Sequence, residues 1–237
     1  MALLYPKIIP RSAECWNPWH IPNKQAKTMI MFYLVKTPWV LKKLYPAGVW
    51  DMPDREKVLY LTFDDGPHPE ATPYVLEELS RYNAKATFFC IGKNVAQHND
   101  IYSRVLNEGH SAANHTFSHL NGWKTGDRKY FEDIAKARKY IDSPLFRPPY
   151  GKISKLQLKH LTEDFGMKVI MWSVLSADFD TAITPEQCLK NVSLHAKAGS
   201  IIVFHDSEKA FTRMKYALPR VLQLFTEKGY RFDKINL

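Results

Sequence analysis

The sequence predicts an α/β protein whose strands form a parallel sheet. From residue 57 onward, short runs rich in β-branched and aromatic residues alternate with segments whose apolar residues recur at helical spacing. Several of the strand-like runs are apolar throughout, as expected for a sheet that helices cover on both faces. Repeated βα units of this kind connect parallel strands. The 237 residues, of which 45% are hydrophobic, suffice for one sizeable domain with a full core.

Seven strands are predicted, because each run is short, apolar and bounded by turn residues. They cover residues 58–63, 86–91, 111–115, 145–149, 168–174, 200–205 and 230–235. Six helices lie between them, over residues 72–82, 100–110, 128–141, 154–166, 185–197 and 214–229. The helix over 185–197 begins with proline and the helix over 154–166 ends at glycine, which is typical of helix starts and ends. The last helix is predicted in spite of its internal Pro219.

Residues 56–237 are therefore predicted to form one domain, and residues 1–55 a lead-in to it. The net charge is +9, and residues 1–50 contribute +6 of it, since they hold seven Lys or Arg against the single Glu14. Nucleic-acid binding would place the positive charge on the folded body, so we do not expect it. The basic lead-in is interpreted either as a solvated tail or as a weak contact of residues 29–45 with an anionic membrane surface.

No stretch reaches the ~20 apolar residues that span a bilayer. The most apolar stretch, 29–41, is followed by no small-residue cleavage site, so we expect a cytoplasmic or membrane-associated protein. Met29 and Met31 are alternative starts to Met1, and the sequence leaves the oligomeric state open. The cysteines are odd in number and lack paired spacing, which argues against a disulfide scaffold: Cys15, Cys90 and Cys188.

Reactive side chains follow strand after strand, at the edge where parallel α/β folds place their ligands. An Asp-Gly pair by itself is more often a turn, and an isolated pair of histidines four residues apart is as often two unrelated residues. Five such strand ends together indicate a catalytic site. The residues are Asp64, Asp65, His115, His119, Arg147, Tyr150, Asp178 and His205.

A metal site is the interpretation of three of these residues. His115 and His119 are four residues apart, which places both imidazoles on one face if that turn is helical. Two neutral imidazoles and one carboxylate, here Asp65, form a three-ligand site for a metal such as Zn²⁺ and leave positions open for water and substrate. Because neighbouring strand residues point to opposite sides, Asp64 is expected to act separately, as a base.

Five segments, in order and spacing, resemble the motifs of the polysaccharide deacetylases of carbohydrate esterase family 4, the NodB homology domain. They are TFDDGP, HTFSH, RPPYG, WSVLSAD and IIVFH. The resemblance spans about residues 57 to 230 and implies a distorted (β/α)7 barrel. It implies that Asp65, His115 and His119 bind a divalent metal, Zn²⁺ or else Co²⁺, Ni²⁺ or Mn²⁺. The implied activity is a hydrolase that removes N-acetyl groups from a GlcNAc-containing glycan, such as peptidoglycan or a chitin-like oligomer.

The resemblance also implies roles for the remaining residues. Asp64 is the base that deprotonates the attacking water, and His205 is the acid that protonates the departing amine. The backbone N–H of Tyr150 stabilises the oxyanion. Arg147 pairs with Asp64, and Asp178 pairs with Arg147 or His205. The residues expected to line the substrate pocket are Pro148, Tyr150, Trp172 and Val203.

Two departures from the family's pattern concern substrate more than chemistry. Phe179 stands where the family commonly has Trp, and Val203 stands where Leu is common. Two alternative functions stay open: a deformylase or deacetylase of a lipid-linked amino sugar, and a non-catalytic glycan-binding module. Trp123, just past His119, is interpreted equally as a sugar-stacking platform or as a core residue.

Overall fold

The computed structural model describes residues 33–237. Cys15, the alternative starts at Met1, Met29 and Met31, and the upstream part of the predicted membrane-contact segment lie outside this range. Nine strands are present within it: β1 (Gly48–Val49), β2 (Val58–Asp64), β3 (Ala86–Cys90), β4 (Ser111–Asn114), β5 (Leu145–Phe146), β6 (Lys168–Ile170), β7 (Val174–Leu175), β8 (Ile201–His205) and β9 (Arg231–Phe232).

Eight α-helices connect or flank these strands. They are α1 (Trp39–Leu44), α2 (Ala71–Arg81), α3 (Gly92–Gln97), α4 (Asn99–Asn107), α5 (Asp127–Arg138), α6 (Lys155–Glu163), α7 (Pro185–Ser193) and α8 (Glu208–Glu227). Among residues 33–237, none of the helices is both long and apolar enough to cross a bilayer.

The strands form one parallel sheet in which β2 pairs with three other strands. The order is β1-β6-β5-β4-β3-β2-β8-β7, and β9 pairs with β2. In this register Asp64, the last residue of β2, stands beside Phe89 of β3 and His205 of β8. The carboxyl ends of the strands therefore meet at one edge, which is where the predicted site residues were expected.

Residues upstream of β2 flank both ends of this sheet. β1 pairs with β6 at one end, while Lys36 forms an antiparallel bridge with Val174 of β7 at the other. The N–H of Leu175 also donates to the carbonyl of Val35 at 2.8 Å. Residues 33–55, which the sequence assigns to the lead-in, thus contribute to the sheet of the main body. No strand pairing joins β1 to β7 within the described range, so the barrel stays open there.

Alternating side chains of the strands pack into two cores. Phe88 points to a cluster shared with Leu76 of α2 and Leu222 of α8, whereas Phe89 belongs to an inner cluster with Ile170 and other strand residues. The sheet therefore buries both faces, as the continuous apolar strands predict. The prediction of a distorted (β/α)7 barrel with parallel strands is confirmed.

Some predicted boundaries are wrong for identifiable reasons. The strand predicted over 168–174 splits into β6 and β7, because the backbone changes partners between them: the Met171 carbonyl accepts a hydrogen bond from Arg147 Nη2 at 2.9 Å. The strand predicted over 145–149 is shorter in the structure and ends at Phe146. The two prolines that come soon after it carry no N–H that could donate a hydrogen bond within the sheet.

Three elements are absent from the prediction, namely β1, α1 and α3. They are two, six and six residues long, which is too short for a periodic pattern to show. The last helix, α8, begins at Glu208 rather than at residue 214, and Pro219 lies inside it without ending it.

Candidate active site

The predicted site residues converge at the carboxyl edge of the sheet. Asp64 ends β2, and His205 ends β8. His115 follows β4 directly, Arg147 follows β5, and Asp178 lies three residues past β7. Each side chain is thus placed by the end of a strand, and the strands are adjacent or nearly so in the sheet.

Asp65, His115 and His119 form a compact cluster of potential metal ligands. The Oδ1 atom of Asp65 lies 3.1 Å from Nε2 of His119 and 3.7 Å from Nε2 of His115. One ligand atom from each residue lies within 4.8 Å of the others. Two imidazole nitrogens and one carboxylate oxygen suit a borderline cation such as Zn²⁺, so the residues fit the predicted metal.

His115 is held in the form that a metal ligand needs. Its Nδ1 lies 2.8 Å from the carbonyl oxygen of Arg147, so Nδ1–H donates there and Nε2 keeps its lone pair. The side chain is buried, and this burial lowers the pKa of His115 to about 4, in spite of the nearby Asp64 and Asp65 carboxylates. The imidazole is therefore neutral at pH 7.

The turn between the two histidines is not helical, which corrects one assumption of the sequence analysis. Thr116 and His119 have φ values of 64° and 56°, in the left-handed region. The N–H groups of Phe117 and Ser118 donate to Oδ2 of Asp133 at 2.9 and 2.8 Å. A side chain from α5 therefore fixes the loop, and the imidazoles converge without a helix.

The side chains of Asp64 and Asp65 contact different partners, but the reason differs from the one that the sequence predicted. Asp65 is not a strand residue, because its φ of 81° turns the chain at the end of β2. Its carbonyl accepts a hydrogen bond from Nδ2 of Asn94 at 2.7 Å, which holds that turn. A backbone turn, rather than the alternation of a pleated strand, thus gives Asp64 and Asp65 different partners.

Asp64 pairs with a fully buried arginine. Nη1 of Arg147 lies 2.6 Å from Oδ1 of Asp64 and 2.7 Å from the hydroxyl of Thr62. The guanidinium carbon lies 3.9 Å from the centre of the Phe89 ring. Arg147 also donates to the carbonyls of residues 170 and 171, so its position is determined on several sides. The guanidinium thus donates a charge-assisted hydrogen bond to the Asp64 carboxyl and fixes its orientation.

His205 pairs with Asp178, which selects one of the two predicted partners for that aspartate. Nδ1 of His205 lies 2.7 Å from Oδ1 of Asp178, and the His205 backbone N–H donates to Oδ2 at 2.7 Å. Burial by itself lowers the pKa of His205, but the Asp178 carboxylate outweighs it, and with Asp65 and Asp64 it raises the pKa to about 9. His205 is therefore protonated at neutral pH, and its Nε2–H remains to donate.

Comparison with known proteins decides the family. A family model described as polysaccharide deacetylase matches residues 51–170. The chain belongs to the polysaccharide deacetylase family. It is 36% identical, over 82% of its length and 95% of the relative's, to a peptidoglycan-N-acetylglucosamine deacetylase of Bacillus cereus.

Two further relatives show how far the likeness extends. A chitooligosaccharide deacetylase of Azorhizobium caulinodans is 35% identical over 62% of this chain and 73% of its own length. The crystal structure of the peptidoglycan N-acetylglucosamine deacetylase Bc1960 superposes with a TM-score of 0.77 at 32% identity, covering 84% of this chain and 95% of the other. The resemblance found in the sequence is thus confirmed, as is the fold.

The predicted substrate-pocket residues differ in exposure. Tyr150 is 61% exposed, has a φ of 60°, and places its ring 4.6 Å from that of His119. Trp172 is half-buried, and Gly151 lies so close that a Cβ there would be 2.5 Å from the indole. Pro148 and Val203 are buried. Contact of these residues with substrate, and the oxyanion role of the Tyr150 N–H, stay predictions.

Sequence reasoning missed Asp206 and Thr72, which support the turn after Asp65. Asp206 is fully buried, and its Oδ1 accepts the N–H of Gly66 at 3.0 Å while Thr72 bonds Oδ2 at 2.5 Å. Burial raises the pKa of Asp206 to about 8. A Cβ at Gly66 would lie 2.0 Å from Asp206 Oδ2, so only glycine fits the turn after Asp65. The glycine in TFDDGP was visible in the sequence, but its buried partner was not.

Proposed function

We propose that this chain is a metal-dependent deacetylase that removes N-acetyl groups from GlcNAc residues of a glycan, with peptidoglycan as the first candidate and a chitin-like oligomer as the second. The observation that carries the proposal is that one edge of the sheet holds two complementary groups. One is the Asp65–His115–His119 cluster, and the other is the His205–Asp178 pair. Amide hydrolysis needs both an activated water and an acid for the leaving nitrogen.

The first half of the reaction uses the cluster and Asp64. A divalent cation, with Zn²⁺ favoured by the donor set, would be held by Asp65, His115 and His119 and would polarise the acetamide carbonyl and acidify water. Asp64 accepts the proton of the attacking water as the C–O bond forms. Arg147, whose Nη1 lies 2.6 Å from Oδ1 of Asp64, holds the carboxylate in position for this step. In this proposal the N–H of Tyr150 would donate to the developing oxyanion.

The second half uses His205. An amine leaves readily only when it is protonated, and the Nε2–H of His205 supplies that proton as the C–N bond breaks. A pKa of about 9 keeps this proton in place at pH 7, and Asp178 stabilises the imidazolium through Nδ1–H. The products are acetate and a free amino sugar. Asp64 and the newly formed carboxylic acid each release a proton, and His205 and the amine each take one up, so both catalytic groups return to their starting states.

A lipid-linked amino sugar is the alternative substrate, and one feature favours a membrane contact. Helix α1 has no buried residue and exposes Trp39 and Leu44 beside its lysines. However, Trp39 lines a cavity with Ser173 and Ser200, which precede β7 and β8, whereas His205 ends β8. A membrane bound through α1 would thus lie at the far end of the strands from the reactive edge. We therefore place the soluble glycan first.

The remaining alternative is a glycan-binding module without activity. Such a module needs neither a base nor an acid, whereas here Asp64 pairs with Arg147 and His205 pairs with Asp178. One experiment distinguishes the glycan substrate, the lipid-linked substrate and the binding module.

The test is the release of acetate or formate, with the matching free amine, from three substrates. They are N-acetylglucosamine oligomers, peptidoglycan fragments, and an N-formyl or N-acetyl lipid-linked amino sugar. Each is incubated with chelator-treated protein before and after addition of Zn²⁺, Co²⁺, Ni²⁺ or Mn²⁺. We expect metal-restored release from one of the glycans. Release only from the lipid-linked sugar would favour the alternative substrate, and metal binding with tight glycan binding but no release would favour the module.

A further inference from the structure

We infer that Trp123, Lys152 and Tyr150 form a second sugar subsite beside the reactive centre, and that it favours a glycan whose neighbouring sugar carries a carboxylate. We call these three residues the Trp123 platform. The inference rests on the proposed function, since it names the substrate class of that same site. It settles the sequence-based ambiguity of Trp123 in favour of a surface role, because this side chain is 58% exposed.

The residues of the Trp123 platform lie on two loops that hydrogen bonds hold together. The N–H of Gly122 donates to the carbonyl of Lys152 at 3.1 Å. A Cβ at residue 122 would lie 2.5 Å from that carbonyl oxygen, so the close approach requires glycine. The side-chain amide of the buried Gln157 donates to the Gly122 carbonyl at 2.9 Å and to Asp127 at 2.8 Å. The loops therefore hold a fixed geometry.

The ring of Trp123 is oriented by these loops and still open to solvent. Its Nε1–H donates to the carbonyl of Ile153 at 2.8 Å, which satisfies the polar atom of the indole. More than half of the side chain is left exposed, so the ring is a preformed apolar surface with little conformational freedom to lose on binding. Such a surface suits the C–H face of a pyranose.

The platform is continuous with the reactive centre. Tyr150 precedes Lys152 by two residues, and its ring lies 4.6 Å from the ring of His119, one of the predicted metal ligands. Tyr150 and Trp123 are among the three most exposed aromatic side chains of residues 33–237. An extended glycan with one acetamide at the metal cluster would therefore lay an adjacent sugar along this rim.

The positive charge beside Trp123 would favour a glycan that carries a carboxylate. Nζ of Lys152 lies 4.2 Å from the centre of the Trp123 ring, and two further exposed lysines, Lys124 and Lys155, are close to Trp123 and Lys152 in the sequence. The acidic residue nearby, Asp127, is engaged by Gln157. A carboxylate on the sugar that stacks on Trp123 would meet this positive charge, whereas a neutral sugar would gain only the stacking.

The experiment compares steady-state kinetics of the metal-loaded enzyme on two tetrasaccharides and on an aryl acetate, which has no second sugar. One tetrasaccharide is the neutral N-acetylglucosamine tetramer. The other alternates GlcNAc with N-acetylmuramic acid whose lactyl carboxylates are free. For Trp123→Ala we expect KM to rise about tenfold for both tetrasaccharides, with a much smaller change for the aryl acetate. Trp123→Phe, which keeps a ring, should lie between.

Lys152→Met tests the charge separately. We expect it to remove the preference for the acidic tetrasaccharide and to change KM for the neutral one about twofold or less. The matched controls are Trp39→Ala and Lys43→Met, because Lys43 Nζ lies 4.7 Å from the centre of the exposed Trp39 ring, at the other end of the strands. These controls should leave all three substrates unchanged.

Two results would overturn the inference. Unchanged KM for both tetrasaccharides in Trp123→Ala would exclude stacking, and an equal loss on the aryl acetate would mean that Trp123 supports the fold. Absence of any metal-dependent turnover by the unaltered protein would instead count against the proposed function.

Discussion

The two halves of the reactive edge are held in different ways. The metal half consists of loop residues, of which Asp65 and His119 have left-handed backbone conformations, and polar contacts such as those from Asp133 and Asn94 fix the loops. The acid half is a charge pair: His205 ends a strand, and a single buried carboxylate, Asp178, holds both its backbone and its ring. Contacts to the backbone thus position the first half, whereas a charged partner positions the second.

This difference makes the functions of the halves separable by substitution. In the proposed reaction, the metal half and its base would activate the nucleophile, which every acyl substrate needs. The acid half would protonate the leaving group, which only a basic leaving group needs. Substitutions in the first half should therefore affect all substrates, and those in the second half should affect amides most.

The largest expected effect is that of Asp64→Asn. Removal of the base should lower kcat by about a thousandfold or more, for amides and aryl acetates alike. Asn keeps an acceptor for Arg147, so we expect a loss of stability below the about 3 to 5 kcal/mol of a fully broken buried pair. Zinc stoichiometry and thermal unfolding check that the metal and fold are retained. Asp65→Asn is the contrasting variant and should lose the metal; full activity of Asp64→Asn would refute the base assignment.

The next effect is that of Asp178→Asn, which removes the partner of His205. The pKa of His205 should fall from about 9, so amide turnover at pH 8 should fall by about a hundredfold and the descending limb of the pH–rate profile should move to lower pH. Kinetics from pH 5 to 10 measure both, and an unmoved limb would contradict the pairing.

Asp178→Asn should also change how the stability of the protein depends on pH. The folded pKa of His205 lies above its ordinary value of 6.5, so the stabilisation by the pair is complete below pH 6.5 and is lost as pH rises to about 9. The Tm difference between the unaltered protein and Asp178→Asn should thus be largest near pH 6 and shrink toward pH 9. A difference that grows with pH would contradict this.

A smaller effect should come from Asp133→Ala, which frees the loop between the two histidines. We expect about 10- to 100-fold weaker zinc binding, because residues that orient metal ligands contribute on that scale. Activity should return at saturating Zn²⁺. Glu132→Ala is the matched control, since this neighbour on α5 is exposed and pairs only with Arg128 among the described residues. Competition with a chromophoric chelator measures the affinity, and unchanged affinity would exclude the positioning role.

The smallest effect should come from Tyr33, which covers the acid half. Its ring meets that of Phe179 edge-on at 5.4 Å, Phe179 meets His205 at 5.2 Å, and the Tyr33 hydroxyl donates to Asp180 at 2.8 Å. Tyr33→Ala should lower amide turnover about fivefold, equivalent to about 1 kcal/mol for an aromatic pair. Tyr33→Phe should retain most of the activity. Equal losses on aryl acetate would show a general structural effect instead.

The ligand residues of the metal half and the charged pair of the acid half were predictable from the sequence, and the aromatic packing around the acid half was not. TFDDGP and HTFSH each carry a ligand next to turn residues, so short-range pattern suffices to find Asp65 and the histidines. Tyr33 approaches Phe179 from across the chain, in a segment with no periodic signal, and β1 is only two residues long. Contacts of this kind form only when the whole sheet is folded, so local spacing could not reveal them.

The conformation of the loop between His115 and His119 could not be predicted from the sequence, for a related reason. An HxxxH spacing favours a helical turn, but Asp133 satisfies the N–H groups of Phe117 and Ser118 and stabilises a different turn. The compartment, the metal and the domain boundary at residue 55 stay predictions.

The most direct test of the account is the ratio of amide to aryl acetate turnover in His205→Ala, loaded with Zn²⁺. We expect amide turnover to fall by about 10² to 10⁴ while aryl acetate turnover falls about tenfold or less, because a phenolate leaves without protonation. His160→Ala is the control, since His160 pairs with Asp164 on the exposed face of α6. Equal losses on both substrates, with zinc still bound, would contradict the division of the site into a metal half and an acid half.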